Sequence, residues 1–158
     1  MKHLLLVVVT AVAAATFIPM AGADAPFHSL TGSGWRGTIA NPNTPKTHFA
    51  VSARTGSGGV SGTYISMNPN NPLFNYTGDV TCLDVVGNQA IVGGVVTSGG
   101  EPGQIGTGFA TGFIDNGSTP DSMTFSDLEI ATPADCAGES FLFTLMLFPV
   151  LQGNVVVG

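Results

Sequence analysis

Positive charge is scarce in this chain. Four of its 158 residues are lysine or arginine, against ten aspartates and glutamates, for a formal net charge of −6 at neutral pH. So few cations cannot neutralise a run of phosphates, which excludes nucleic acid as a partner and makes an anionic membrane surface repulsive. Cysteine and histidine are rarer still, at two and three. A structural zinc site needs about four nitrogen or sulfur ligands, usually in close pairs. Cys82, Cys136, His28 and His48 stand far apart in the chain instead. Helical periodicity is missing too, because no stretch after the N-terminal leader repeats apolar residues at i, i+3, i+4 and i+7. Neither a Gly-Lys-Ser/Thr phosphate loop nor a Gly-x-Ser-x-Gly nucleophile turn occurs.

What is present begins with an address. Lys2 and His3 precede an unbroken apolar run from Leu4 to Val9, small residues continue to Ile18, and Pro19 is followed by Ala21-Gly22-Ala23. A basic start, an apolar stretch and a small-residue exit define a secretory signal, here residues 1–23 with cleavage after Ala23. The run is shorter than the ~20 apolar residues a membrane anchor requires. Cleavage leaves a single secreted or cell-surface domain, residues 24–158, in which three cations face ten carboxylates for a formal charge of −7. That acidity serves solubility.

An oxidising compartment decides the reading of the cysteines. Two cysteines in an exported chain pair, so Cys82 and Cys136 are expected to form a disulfide rather than to bind metal or act as nucleophile. Closing a loop of this length stabilises by up to roughly 4 kcal/mol on the chain-entropy model.

The rest of the domain alternates. Strands are predicted at 35–40, 46–54, 59–67, 74–86, 89–98, 105–115, 121–130, 140–148 and 152–157, separated by turn-forming segments such as NPNTP, GSGG, NPNNP and DNGSTP. Gly87-Asn88 reads as a two-residue hairpin turn. The fold class is all-β: a small antiparallel β-barrel or β-sandwich of about eight to nine strands. In strand 46–54 the pattern turns Phe49 and Val51 inward and His48 outward. In strand 74–86 it puts Val80, Cys82 and Asp84 on one face, opposite Thr81, Leu83 and Val85. In 105–115, Gly106, Gly108, Ala110, Gly112 and Ile114 share a face, which predicts close backbone approach or a ligand groove against bare backbone.

The run GDVTCLDVVGNQAIVGG (78–94), then FIDNGSTPDSMTFSDLEI (113–130), then LQGNVVV (151–157), resembles a family of uncharacterised exported bacterial β-rich domains. Members carry a V-T-C/S-L-x-V-x-G-N-x-A hairpin, a D-N-G…P-D turn-and-strand, and a closing G-N-[IV]-x-V. The resemblance implies a compact antiparallel β domain and supplies no catalytic residues. This chain departs from it at Tyr64-Ile65-Ser66-Met67, where many relatives carry an Asp-His pair after the tyrosine.

Individual candidates for chemistry are few. Asp115, Asn116 and Asp121 could offer oxygens to calcium, but Asp-Asn-Gly is first a tight turn and the EF-hand spacing is absent. Asp127 and Glu129 share a strand face, the usual arrangement of a solvated side. Gly106–Gly112 is glycine-rich with no following helix. Asn75-Tyr76-Thr77 and Asn116-Gly117-Ser118 are glycosylation sequons, relevant only in a host that modifies exported proteins. Trp35 and Tyr64 could stack on a sugar, though isolated aromatics usually belong to a core. The residues therefore assign no catalytic, cofactor or metal site, and the expected role is a non-catalytic exported β domain, structural or binding a ligand or protein. The alternative is a small barrel-type hydrolase or isomerase using His48 with Asp79 or Asp84. Finally, FLFTLMLFPVL (141–151) read as a strand is apolar on both faces, which predicts coverage by a second subunit, a ligand or another segment, with Pro149 ending the pairing and QGNVVV resuming it.

Overall fold

Turn residues set the framework. Ser57-Gly58 and Gly87-Asn88 fold the longest strands into two hairpins, β2 (Thr47–Gly56) with β3 (Gly59–Met67) and β4 (Tyr76–Val86) with β5 (Gln89–Gly99). Gly87 sits at φ +63°, a conformation glycine adopts without penalty. A computed structural model describes residues 27–158 other than 39, 100, 125–126, 131–135 and 145–146, and describes only the backbone of 127–130 and 141–142. The signal at 1–23 lies outside the described residues.

The remaining strands are β1 (Ser29–Arg36), β6 (Gly108–Ile114), β7 (Ser122–Thr124), β8 (Asp127–Ile130), β9 (Leu147–Pro149) and β10 (Leu151–Val157). All pairings are antiparallel, in the order β10-β1-β2-β3-β4-β5-β6-β7-β9, with β8 beside β6. The ends of that order, β9 and β10, are consecutive in sequence, and the sheet curls into a nearly closed barrel. No helix among the described residues is long and apolar enough to cross a membrane.

Inward side chains fill the barrel. Phe49, Tyr64, Phe109 and Phe113 are fully buried and Tyr76 nearly so. Tyr64 stacks on Phe109 at 5.4 Å between ring centres and meets Tyr76 at 5.7 Å, while Phe49 meets Phe113 at 5.6 Å. Each such pair adds about 0.5–1.5 kcal/mol beyond the area it buries. The inward positions of Phe49 and Val51 and the outward position of His48 are as alternation predicted.

Five of the predicted strands change. The first strand is Ser29–Arg36 rather than 35–40. Its SLTGSGWR reads as a loop by propensity, yet its glycines suit the packing: a Cβ on Gly32 would lie 2.7 Å from the Asn154 carbonyl oxygen of β10. Pro72–Phe74 forms a single 3₁₀ turn before β4, with the Asn71 side chain accepting from Leu73 N at 3.2 Å. β6 begins at Gly108 because 101–106 is turn. The strand expected at 121–130 is divided into β7 and β8.

The largest change concerns 140–148. Ala137–Thr144 is a 3₁₀ segment, and among the described residues of the run strand is confined to Leu147–Pro149. The two-faced strand is therefore not formed: Phe148 points into the core, fully buried, while Leu147 is 40% exposed. Pro149 does end β9, and β10 resumes at Leu151.

Candidate functional site

The predicted disulfide is present, joining Cys82 to Cys136 with Cα atoms 5.5 Å apart. It lies on the outer wall of the barrel, not inside. A register shift at Thr81 sets Val80 against Gly94 and Cys82 against Gly93. This bulge breaks the alternation, so Val80 joins the interior cluster while Cys82 packs outside with Ile91, Ala110 and Cys136. Strict alternation had placed Val80 and Cys82 on one face, a reading the bulge overturns. The bridge draws the 3₁₀ segment over β5 and β6, where Phe143 packs on that outer cluster. A Cβ on Gly112 would lie 2.9 Å from the Phe143 ring. The small-residue face of β6 is thus a seat for protein, not a groove. A cleft of about 220 Å³ remains beside it, lined by Asp84, Val86, Gln89, Ile91, Ser140 and Phe143.

Asp115 and Asp121 close the barrel. Each carboxylate accepts from one amide of its own loop and one of β10. Asp121 Oδ1 takes the Asn116 N–H at 2.9 Å and Oδ2 the Val155 N–H at 2.6 Å. Asp115 Oδ1 takes Gly117 N–H at 2.9 Å and Oδ2 Val157 N–H at 3.2 Å. The Asp115 backbone in turn pairs with Asn88 of the hairpin turn, whose side chain donates to the Asp115 carbonyl at 2.8 Å. The three segments quoted for the family resemblance thus meet at one seam. Both carboxylates raised as calcium candidates are engaged by backbone donors there. Asn116 also donates through its side chain to the Pro120 carbonyl at 2.9 Å, and the Asn75 side-chain oxygen accepts from Asn68 N, so both sequon asparagines are held internally.

The residues of the enzymatic alternative are not brought together. His48 pairs with Met67, whereas Asp79 lies opposite Thr63, four residues along β3 and one strand farther over. Sheet spacing puts His48 and Asp79 on the order of 16 Å apart. Asp84 lies five residues beyond Asp79, in the cleft under the 3₁₀ segment. Asp127 and Glu129 fall in β8, where only the backbone is described. The Gly106–Gly112 run leaves a turn at Gly106, which sits at φ +90° and donates to the Val96 carbonyl at 2.8 Å, and is β6 from Gly108 onward. Among the described residues no group of three His, Cys, Asp or Glu side chains converges.

Two features were not read from the sequence. Arg36 ends β1 inside the barrel, 2% exposed, its guanidinium 5.7 Å from the centre of the Phe148 ring and donating to the Gly37 carbonyl at 3.3 Å. Burial lowers its pKa from the ordinary arginine value, an effect opposed by Tyr64 and Tyr76 nearby. On the outer wall, Trp35, His48 and Met67 occupy directly opposed positions on β1, β2 and β3. Trp35 and His48 meet edge to face at 5.3 Å, and Met67 is 53% exposed. Met67 also borders a shallow groove of about 370 Å³ shared with Ile65, Tyr76, Thr77, Ser98 and Gly99. Tyr64, by contrast, is core. The described residues form an antiparallel, disulfide-bridged, nearly closed β barrel with aromatic rings packed inside it. No protein-family model, curated protein or solved structure matches the chain.

Proposed function

We propose that this chain is an exported, non-catalytic β domain that acts through its outer wall, as a binding or scaffolding module for an unidentified ligand or protein. The observation that carries this reading is the occupied interior, where five mutually packed aromatic rings stand where a ligand-carrying barrel would keep space. Export is supported by the leader-like first 23 residues and by the Cys82–Cys136 bridge. Kinship with the exported β-rich family is supported by the meeting of its three motif segments at the Asp115–Asp121 seam.

Native mass spectrometry and a panel of ester, glycoside and peptide substrates, applied to secreted protein, test it. The protein is expected to fly without a bound small molecule and to show no turnover that His48→Ala removes. An apolar molecule released only on unfolding would overturn the outer-wall reading. Turnover lost in both His48→Ala and Asp79→Asn would establish the hydrolase or isomerase alternative.

A further inference from the structure

We infer that His48 and Met67 form a surface site for a soft monovalent metal ion, Cu(I) or Ag(I), with Trp35 packed on the other side of His48. The inference rests on register and donor chemistry, and not on the interior reading above. His48 and Met67 are direct cross-strand partners on the outward face. Such partners have Cβ atoms about 4.5–5.5 Å apart, so an imidazole nitrogen and a thioether sulfur can reach one ion between them. The hairpin that carries them is paired continuously from His48↔Met67 to Gly56↔Gly59, and β2 is paired on its other side by β1 from Thr47 to Arg54. The backbone therefore arrives already ordered, and only side-chain rotation is required.

The donor set selects the ion. A thioether is a soft, neutral ligand that favours Cu(I), and imidazole accepts copper readily, whereas hard divalent cations need carboxylate or carbonyl oxygens. The outward neighbours on these strands are Ser33, Trp35, Ala50 and Ile65, none of which is a carboxylate. Two neutral donors suit a monovalent ion, for which low coordination numbers are ordinary. Trp35 lies across His48 from Met67, in edge contact with the imidazole at 5.3 Å, so a change at that ring is felt by the indole. It is also the single tryptophan of the chain, so its fluorescence reports on this place alone.

The test is titration of the full secreted chain with Ag(I), and with Cu(I) under anaerobic conditions against a competing chelator. The expected result is quenching of Trp35 that saturates at one equivalent, with the Met67 methyl and His48 ring resonances shifting together. Met67→Leu, which keeps volume and apolarity, and His48→Gln should each weaken the ion by about tenfold or more. Neither Zn(II) nor Ca(II) should compete. The inference is overturned if quenching is unchanged by Met67→Leu, if it follows His28→Ala instead, or if Zn(II) binds equally and only His48 matters. Thermal unfolding of each variant, expected to match the parent, separates loss of the site from loss of the fold.

Discussion

The carboxylate of Asp121 accepts the Val155 amide at 2.6 Å, and the Asp121 carbonyl accepts the Val150 amide at 2.8 Å. One residue thereby holds the chain on both sides of the step from β9 to β10. The two ends of the strand order do not pair with each other, so the barrel is joined there by the carboxylate and carbonyl of Asp121 rather than by a ladder. Asp115 repeats the device one turn away on Val157. The N–H groups of β10 that do not serve β1 would otherwise form an open edge.

Removing this clasp should be costly. Hydrogen bonds to a charged group contribute about 1.5–3 kcal/mol each, and Asp121 makes two. Asp121→Ala is expected to lower stability by about 3 kcal/mol or more, and half-buried Asp115 to cost less. Denaturant midpoints give the magnitude. Amide exchange gives the place: Val155 and Val157 should lose protection while the β2–β3 hairpin keeps it. A variant with an unchanged midpoint would remove Asp121 from the closure.

Pairing of Cys82 with Cys136 makes the intact protein about two mass units lighter than the dithiol, since two hydrogens leave on oxidation. The double serine variant should lose up to about 4 kcal/mol and become open to proteolysis within 137–144, because that segment is held down by the bridge and by Phe143. Two thiols alkylated freely in folded, secreted protein would exclude the bridge.

Gly94 faces the Asp79 carbonyl and the Phe109 ring so closely that a methyl group there has no space. Gly94→Ala should cost about 1–3 kcal/mol through forced displacement of β4 and Phe109. Gly58→Ala, in the open β2–β3 turn with nothing near its Cβ direction, is the matched control and should leave the melting temperature nearly unchanged. Equal effects from the two would mean that the β4–β5 spacing is looser than described.

Phe148→Lys should prevent folding, since it buries a second cation in a fully enclosed site beside Arg36 and Met123. Leu147→Glu and Ser52→Glu, on exposed positions, should be tolerated. Circular dichroism and size-exclusion chromatography read the difference. A folded, monodisperse Phe148→Lys protein would contradict the inward placement. Met146 falls outside the described residues. Self-association through 141–151 is answered by the same chromatography.

N-terminal sequencing of exported material should begin at Asp24, because the small residues before it form the cleavage site. Material beginning at Met1 would defeat the export reading.

Much of the sheet was legible because strands β2 through β5 are defined by local information. Alternation with period two separates Phe49 and Val51 from His48, and Gly87-Asn88 and Gly58 carry their own turn chemistry. The disulfide followed from counting two cysteines in an exported chain. What local pattern could not supply was decided by contacts distant in sequence. The bulge at Thr81 flips Cys82 to the outer wall, and no alternation rule announces an extra residue. The glycines of β1 read as loop until β10 lies against them. The apolar run after Cys136 is equally apolar as strand or helix, and the bridge together with the seat on β5 and β6 selects a 3₁₀ segment. Asp115 and Asp121 resembled cation ligands because only tertiary structure shows which amides they meet. His48 and Met67, separated along the chain, become neighbours through register alone. Sequence determined where strands begin to alternate and turn, since those preferences act over a few residues. The tertiary structure decided which face, which partner and which closure, since those depend on groups that only the finished barrel places side by side.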